Sequence, residues 1–134
     1  MNISKDLVAA SATPLVLTIL AEGDSYGYAI LKRVSGLSGG RLQWTDGMLY
    51  PVLHRLERQG YISARWGTAE NGRRRRYYRI TRVGRTELAQ QREQWETVDN
   101  TLRGIWRTLF QIVKPGPALP EGEGRWALPV TAAS

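Results

Sequence analysis

The sequence predicts a mainly α fold with one small β-hairpin. Three observations predict it. Apolar residues recur at helical spacing in four segments, the period changes to that of a strand only between Tyr61 and Ile80, and the last helical segment carries a heptad pattern.

The first helix is expected over about Ser4 to Ala21, where Leu7, Val8, Leu15, Val16, Ile19 and Leu20 share helical spacing. Pro14 lacks an N–H and should bend or thin it. Glu22-Gly23-Asp24 ends it. A second helix begins near Ser25, whose hydroxyl suits a cap, and carries Ile30, Leu31 and Val34 on one stripe. Ser35 to Arg41, rich in glycine and serine, reads as a connection. Thr45 or Asp46 caps a third helix that presents Leu49, Val52, Leu53 and Leu56 and stops at Gly60. Tyr61 to Trp66 and Arg75 to Ile80 read as paired strands, reversed through Gly67 to Gly72 by Asn71-Gly72.

The last helix starts near Thr81 or Arg82. Leu88, Trp95, Val98, Leu102, Ile105 and Leu109 follow steps of seven, three, four, three and four, with Gln91 filling one seam position. Such a seam is expected to leave water against a second chain and against the first helix, with Trp106 extending the contact. The expected organisation is therefore a DNA-binding unit over 1–80, a dimerisation helix over 81–113, and a flexible tail over 114–134 that holds four of the six prolines.

Composition narrows the function. The 134 residues carry a formal net charge of +7, which favours an anionic partner. There is no cysteine, so disulfides and thiolate chemistry are excluded. His54 is the one histidine and no compact acidic cluster accompanies it, so neither a catalytic set nor a metal or other cofactor is expected. The apolar run from Leu15 to Leu20 is too short to span a bilayer, and no basic leader precedes it, which predicts a cytoplasmic protein without a membrane partner.

Three helices followed by a hairpin is the order of a winged helix-turn-helix. Its third helix enters the major groove of double-stranded DNA. Gln43, Thr45, Asp46, Met48 and Tyr50 are then expected near bases or phosphates, with Gln43 and Asp46 as candidate base readers. Arg73, Arg74, Arg75 and Arg76 stand at the hairpin tip and on its second strand, with Arg55, Arg58, Arg65 and Arg79 in the same region. Guanidinium forks suit phosphate oxygens; a merely solvated charged turn is the alternative. Tyr77 and Tyr78 are neighbours on a strand, so one faces the core and the other faces outward. A stacking platform for single strands is the alternative there.

Several strings resemble the PadR family of transcriptional regulators. They are Tyr26-Gly27-Tyr28-Ala29-Ile30, then Gly47-Met48-Leu49-Tyr50-Pro51-Val52-Leu53-His54-Arg55-Leu56-Glu57 with Gly60-Tyr61-Ile62, and Gly72-Arg73-Arg74-Arg75-Arg76-Tyr77-Tyr78-Arg79-Ile80-Thr81 with Gly84. The resemblance covers roughly residues 5 to 110. Met48 stands where the family has threonine or serine, and Tyr26 where histidine is common. The single last helix is similar to the short subfamily. That resemblance implies a homodimer held by the first and last helices, acting as a repressor. It also implies, by analogy with multidrug-sensing members, an effector site at the dimer centre. Trp95 matches the tryptophan that stacks planar compounds there, and Asp99 the acidic residue that favours cations. Leu7, Thr13 and Pro14 are expected on the same cavity. The alternative is a ligand-independent regulator in which Trp95 only packs the dimer core.

Overall fold

Ser4 opens the first helix, its hydroxyl accepting the Leu7 N–H at 3.2 Å. The helix, α1, runs Lys5–Glu22 in this computed structural model, which describes residues 2–113; the expected tail over 114–134 lies outside the described residues. Pro14 does not end α1. Its carbonyl accepts the Thr18 hydroxyl at 2.6 Å and the helix continues for two more turns. Apolar residues surround much of α1. Val16, Leu17, Ile19 and Leu20 are buried while Leu7 stays half exposed.

One expected cap, Ser25, takes another role, and Thr45 stands at its N-cap position without a side-chain bond. Helix α2 spans Gly27–Leu37, and Tyr26 precedes it without a side-chain cap. Ser25 instead pairs main chain with Tyr78, donating at 3.1 Å and accepting at 2.7 Å. Two backbone bonds to a sheet edge satisfy more polar groups than one hydroxyl cap would. Helix α3 spans Asp46–Arg58 and starts at Thr45, again without a side-chain cap bond. Asp46 still lies in its first turn, where the helix dipole favours negative charge. Gly60, at φ +80°, lets the chain turn away from α3.

The hairpin is longer than expected at its tip. Strand β1 is Ile62–Thr68 and β2 is Arg74–Ile80, antiparallel, with Ile62 opposite Ile80 and Thr68 opposite Arg74. Ala69 donates to the Arg73 carbonyl at 2.8 Å, and Asn71 Oδ1 accepts the Arg73 N–H at 3.0 Å. Gly72 supplies the left-handed residue at φ +83°. One hairpin face grades from core to solvent. Ile62, Ile80 and Tyr78 are buried, Ala64 is half-buried, and Trp66 and Arg74 lie in water.

Helix α4 spans Arg82–Val113. Thr81 leads into it, donating to the Gly60 carbonyl at 2.7 Å and accepting the Gly84 N–H at 3.0 Å. The chain divides into two compact units after Gln91. In the first, α1, α2, α3 and the hairpin root enclose a core centred on Leu17, Ile30, Leu49, Leu53 and Tyr78. Leu88, expected on the dimer seam, packs against that core. In the second, Trp95 is half-buried, whereas Val98, Leu102, Ile105, Trp106 and Leu109 are exposed.

Candidate nucleic-acid interface

Helical spacing divides the exposed residues of α3 between two sides. Tyr50 and His54 sit one turn apart, ring centroids separated by 6.3 Å. Both line a cleft of about 540 Å³ between α3 and the hairpin, with Tyr26, Trp66, Arg74 and Arg75 among its walls. Gly27 allows this packing, because a Cβ there would overlap the Tyr50 hydroxyl. Met48 and Arg55 take the other side of α3, toward α1. Arg55 donates to Thr13 Oγ1 at 2.7 Å, so a residue expected on DNA and one expected at an effector site meet each other.

The start of α3 keeps Thr45 and Asp46 exposed. Gln43, a candidate base reader, uses its amide nitrogen locally. It donates to Ser35 Oγ at 3.0 Å and to the Gly40 carbonyl at 2.9 Å.

On the hairpin, Trp66 lies opposite Arg76 and is 55% exposed. The Arg74 guanidinium stands 4.6 Å from its ring centroid and that of Arg76 5.5 Å. On the reverse face, Arg75 lies 3.8 Å over the Tyr26 ring, and Tyr77 meets Tyr26 edge-on at 5.8 Å. These contacts hold the guanidiniums against aromatic surface. Of the adjacent tyrosines, Tyr78 is the buried one. Burial pushes its phenol above the usual tyrosine range.

Fixed carboxylates sort the arginines. Arg79 donates to Asp24 at 3.0–3.2 Å, and Arg65 reaches the same carboxylate at 3.5 Å. The Arg79 hydrogen bonds, then the weaker Arg65 interaction, hold the Asp24 carboxyl below the ordinary aspartate range. Arg76 pairs with Glu57 at 3.2 Å. Arg73, Arg74 and Arg75 form no ion pair among the described residues. Arg73, Arg74 and Arg75, at and next to the hairpin tip, are therefore the hairpin arginines without a paired carboxylate among the described residues.

The expected effector residues belong to both units, Leu7, Thr13 and Pro14 to the first and Trp95 and Asp99 to the second. Leu7 is exposed on α1 and Pro14 is half-buried within it. In the second unit, Asp99 accepts two bonds from Arg103 Nε at 2.9 and 3.0 Å, which counters its charge on its own helix. Among the described residues no cluster of three His, Cys, Asp or Glu could hold a metal. No helix there is long and apolar enough to cross a membrane.

Sequence reasoning missed Trp66, Tyr26 and His54 as parts of the cleft. Strand parity carried the signal for Trp66, since it shares the face of Ile62 and Ala64 but lies beyond the core. No local signal placed Tyr26 beneath Arg75.

A family model described as transcriptional regulator PadR-like matches residues 16–90. An uncharacterised protein from Lysinibacillus sphaericus is 30% identical over 107 residues, which are 77% of this chain and 98% of that one. The transcriptional regulator YqjI of Escherichia coli is 30% identical over 89 residues, 66% of this chain; the match spans only 41% of that longer protein. Among solved structures, a transcriptional regulator from Clostridium thermocellum superposes with a TM-score of 0.68 at 36% identity, covering 75% of this chain and 94% of that one.

Proposed function

Because this chain belongs to the PadR-like family of transcriptional regulators, we propose that it binds duplex DNA sequence-specifically as a symmetric homodimer and acts as a cytoplasmic repressor. The observation that carries the reading is the tip of the hairpin. Three consecutive arginines without carboxylate partners stand beside a helix whose Tyr50 and His54 face outward. Helix α3 enters the major groove, and Arg73 to Arg76 meet flanking phosphates or the minor groove. Base selection falls to the exposed start and outer side of α3, from Thr45 and Asp46 to Tyr50.

Dimerisation rests on α4. Val98, Leu102, Ile105 and Leu109 repeat at heptad spacing and are each at least 40% exposed in the single chain. Pairing with a second copy removes this stripe from water. Two heads so joined read two half-sites about one helical turn apart.

The effector half of the proposal is a planar aromatic or cationic molecule stacked at Trp95 near the dimer centre, as the resemblance to multidrug-sensing members implies. Asp99, which also pairs with Arg103 on its own helix, would favour a cationic compound among planar ones. Titration of intrinsic fluorescence, with Trp95→Phe to isolate that ring, separates ligand stacking from simple dimer packing.

The deciding experiment is equilibrium binding to duplex DNA from upstream of the gene, against a scrambled duplex at equal salt. Tighter binding to the upstream duplex at two chains per site supports the reading. Equal binding to both duplexes, or preference for single strands, overturns sequence-specific duplex recognition at that site.

A further inference from the structure

The cleft between α3 and the hairpin holds the one histidine of the sequence. Two periodicities meet there. Strand parity puts Trp66, Arg74, Arg76 and Tyr78 on one hairpin face. Helical spacing puts Tyr50 and His54 one turn apart on the side of α3 that lines the same cleft. His54 is exposed, and the cleft volume of about 540 Å³ leaves room for a phosphate group beside it.

The fixed charges around that imidazole are of one sign. Arg74, Arg75 and Arg76 line the cleft from the hairpin, and no Asp or Glu lines it. The remaining titratable groups on its walls are phenols, Tyr28 of α2, Tyr26 just before it, Tyr50 of α3 and Tyr78 of β2. Along α3, Arg58 follows His54 by one turn, and Glu57 is taken by Arg76 at 3.2 Å. Helix α1 meets the other side of α3, where Arg55 bonds Thr13. Arg74 and Arg75 have no carboxylate partner among the described residues. Guanidinium and imidazolium N–H groups all donate, and phosphate oxygens accept from each of them.

We propose that this cleft seats one backbone phosphate of the duplex in each chain, bound by Arg74, Arg75 and the imidazolium of His54. An anion within hydrogen-bond reach favours the charged form of a histidine, so DNA binding takes up a proton at His54. The added affinity is fully present in acid and is lost as pH rises through the range where histidine changes charge. A base stacked on Trp66 would suit the cleft less well, since it would leave the guanidiniums unanswered. The inference rests on the duplex-binding reading for its ligand.

The test measures duplex affinity of the full chain between pH 6 and pH 8 at one salt concentration. The wild type should bind at least about tenfold tighter at pH 6. Its slope of log affinity against log salt should be steeper there by about one to two, for two histidines per dimer. His54→Gln cannot take up the proton and should flatten the pH dependence to within about threefold. His54→Arg carries a permanent charge, so it should be equally flat and bind tighter than His54→Gln at pH 8. Because the sequence has one histidine, a single imidazole C2–H resonance reports its protonation. Duplex should raise the midpoint of that titration by about one pH unit, and inorganic phosphate at the same concentration should leave it in place. An equal rise with inorganic phosphate assigns the cleft to free phosphate and overturns the duplex assignment. Wild-type affinity that is flat across the range, or that rises in acid equally in both variants, overturns the phosphate seat and leaves duplex binding standing. Absence of duplex binding at every pH overturns both this inference and the reading beneath it.

Discussion

Arg65 and Arg79 share a hairpin with Arg73 and Arg74, yet the two pairs live in different electrostatic settings. The first pair stands near the root and converges on Asp24, at 3.5 and 3.0 Å. The second pair stands at the tip, where no described carboxylate reaches it. Arg74 rests over Trp66 instead. The root pair helps fasten the segment between α1 and α2 to the sheet, where Ser25 already pairs with Tyr78. The tip pair remains available to phosphate. The difference teaches that an arginine count overstates the charge a wing offers to DNA. The positions of two fixed carboxylates, Asp24 for Arg65 and Arg79 and Glu57 for Arg76, decide which of these guanidiniums are paired.

The comparison breaks most visibly at the root. Tyr78 is 1% exposed and belongs to both the core and the Ser25 bridge. Tyr78→Ala should cost about 3–5 kcal/mol, in the range for large aromatic truncations, read from urea unfolding. A loss below about 1 kcal/mol would show that the root is not where the wing is secured. Gly84→Ala should cost less, about 1–3 kcal/mol, the usual range for overpacking. A methyl there overlaps the Tyr61 carbonyl, where α4 leaves the hairpin. A thermal melt equal to the wild type would disprove that close approach.

The smallest expected effect sharpens the electrostatic side. The Asp24 carboxyl is held down chiefly by Arg79, with Arg65 adding less. Its folded pKa lies below the unfolded one, so its contribution is present above about pH 4. It is lost as pH falls through the folded value. The wild type should therefore exceed Asp24→Asn slightly in urea midpoint at neutral pH, and the gap should close in acid. A gap that persists well below pH 4 would assign Asp24 a role other than its charge.

Much of this frame was legible in the sequence because it is written in local periods. The four helices and the hairpin follow from apolar spacing, and Gly60 and Gly72 occupy the left-handed positions their contexts required. Ser25 was misread because its partner, Tyr78, is far along the chain, and a capping signal looks only a few residues ahead. The spread of the expected DNA residues had a similar cause. A step of 100° per residue separates Tyr50 from Met48 on α3, but only tertiary packing assigns one side to the hairpin and the other to α1. The fate of Arg65 and Arg79 likewise depends on an aspartate 41 and 55 residues away in sequence.

The most direct test of the account is the salt dependence of duplex binding by the wild type and two double variants, Arg73→Ala/Arg74→Ala and Arg65→Ala/Arg79→Ala. If the tip arginines each neutralise one phosphate, removing both from each chain of the dimer takes away four such contacts and should lower the slope of log affinity against log salt by roughly 3.5. Thermal stability should stay unchanged, as for other surface substitutions. The root pair should change the slope by less than about one. Equal slope changes, or a larger change for the root pair, would contradict the claim that Asp24 determines which arginines meet DNA.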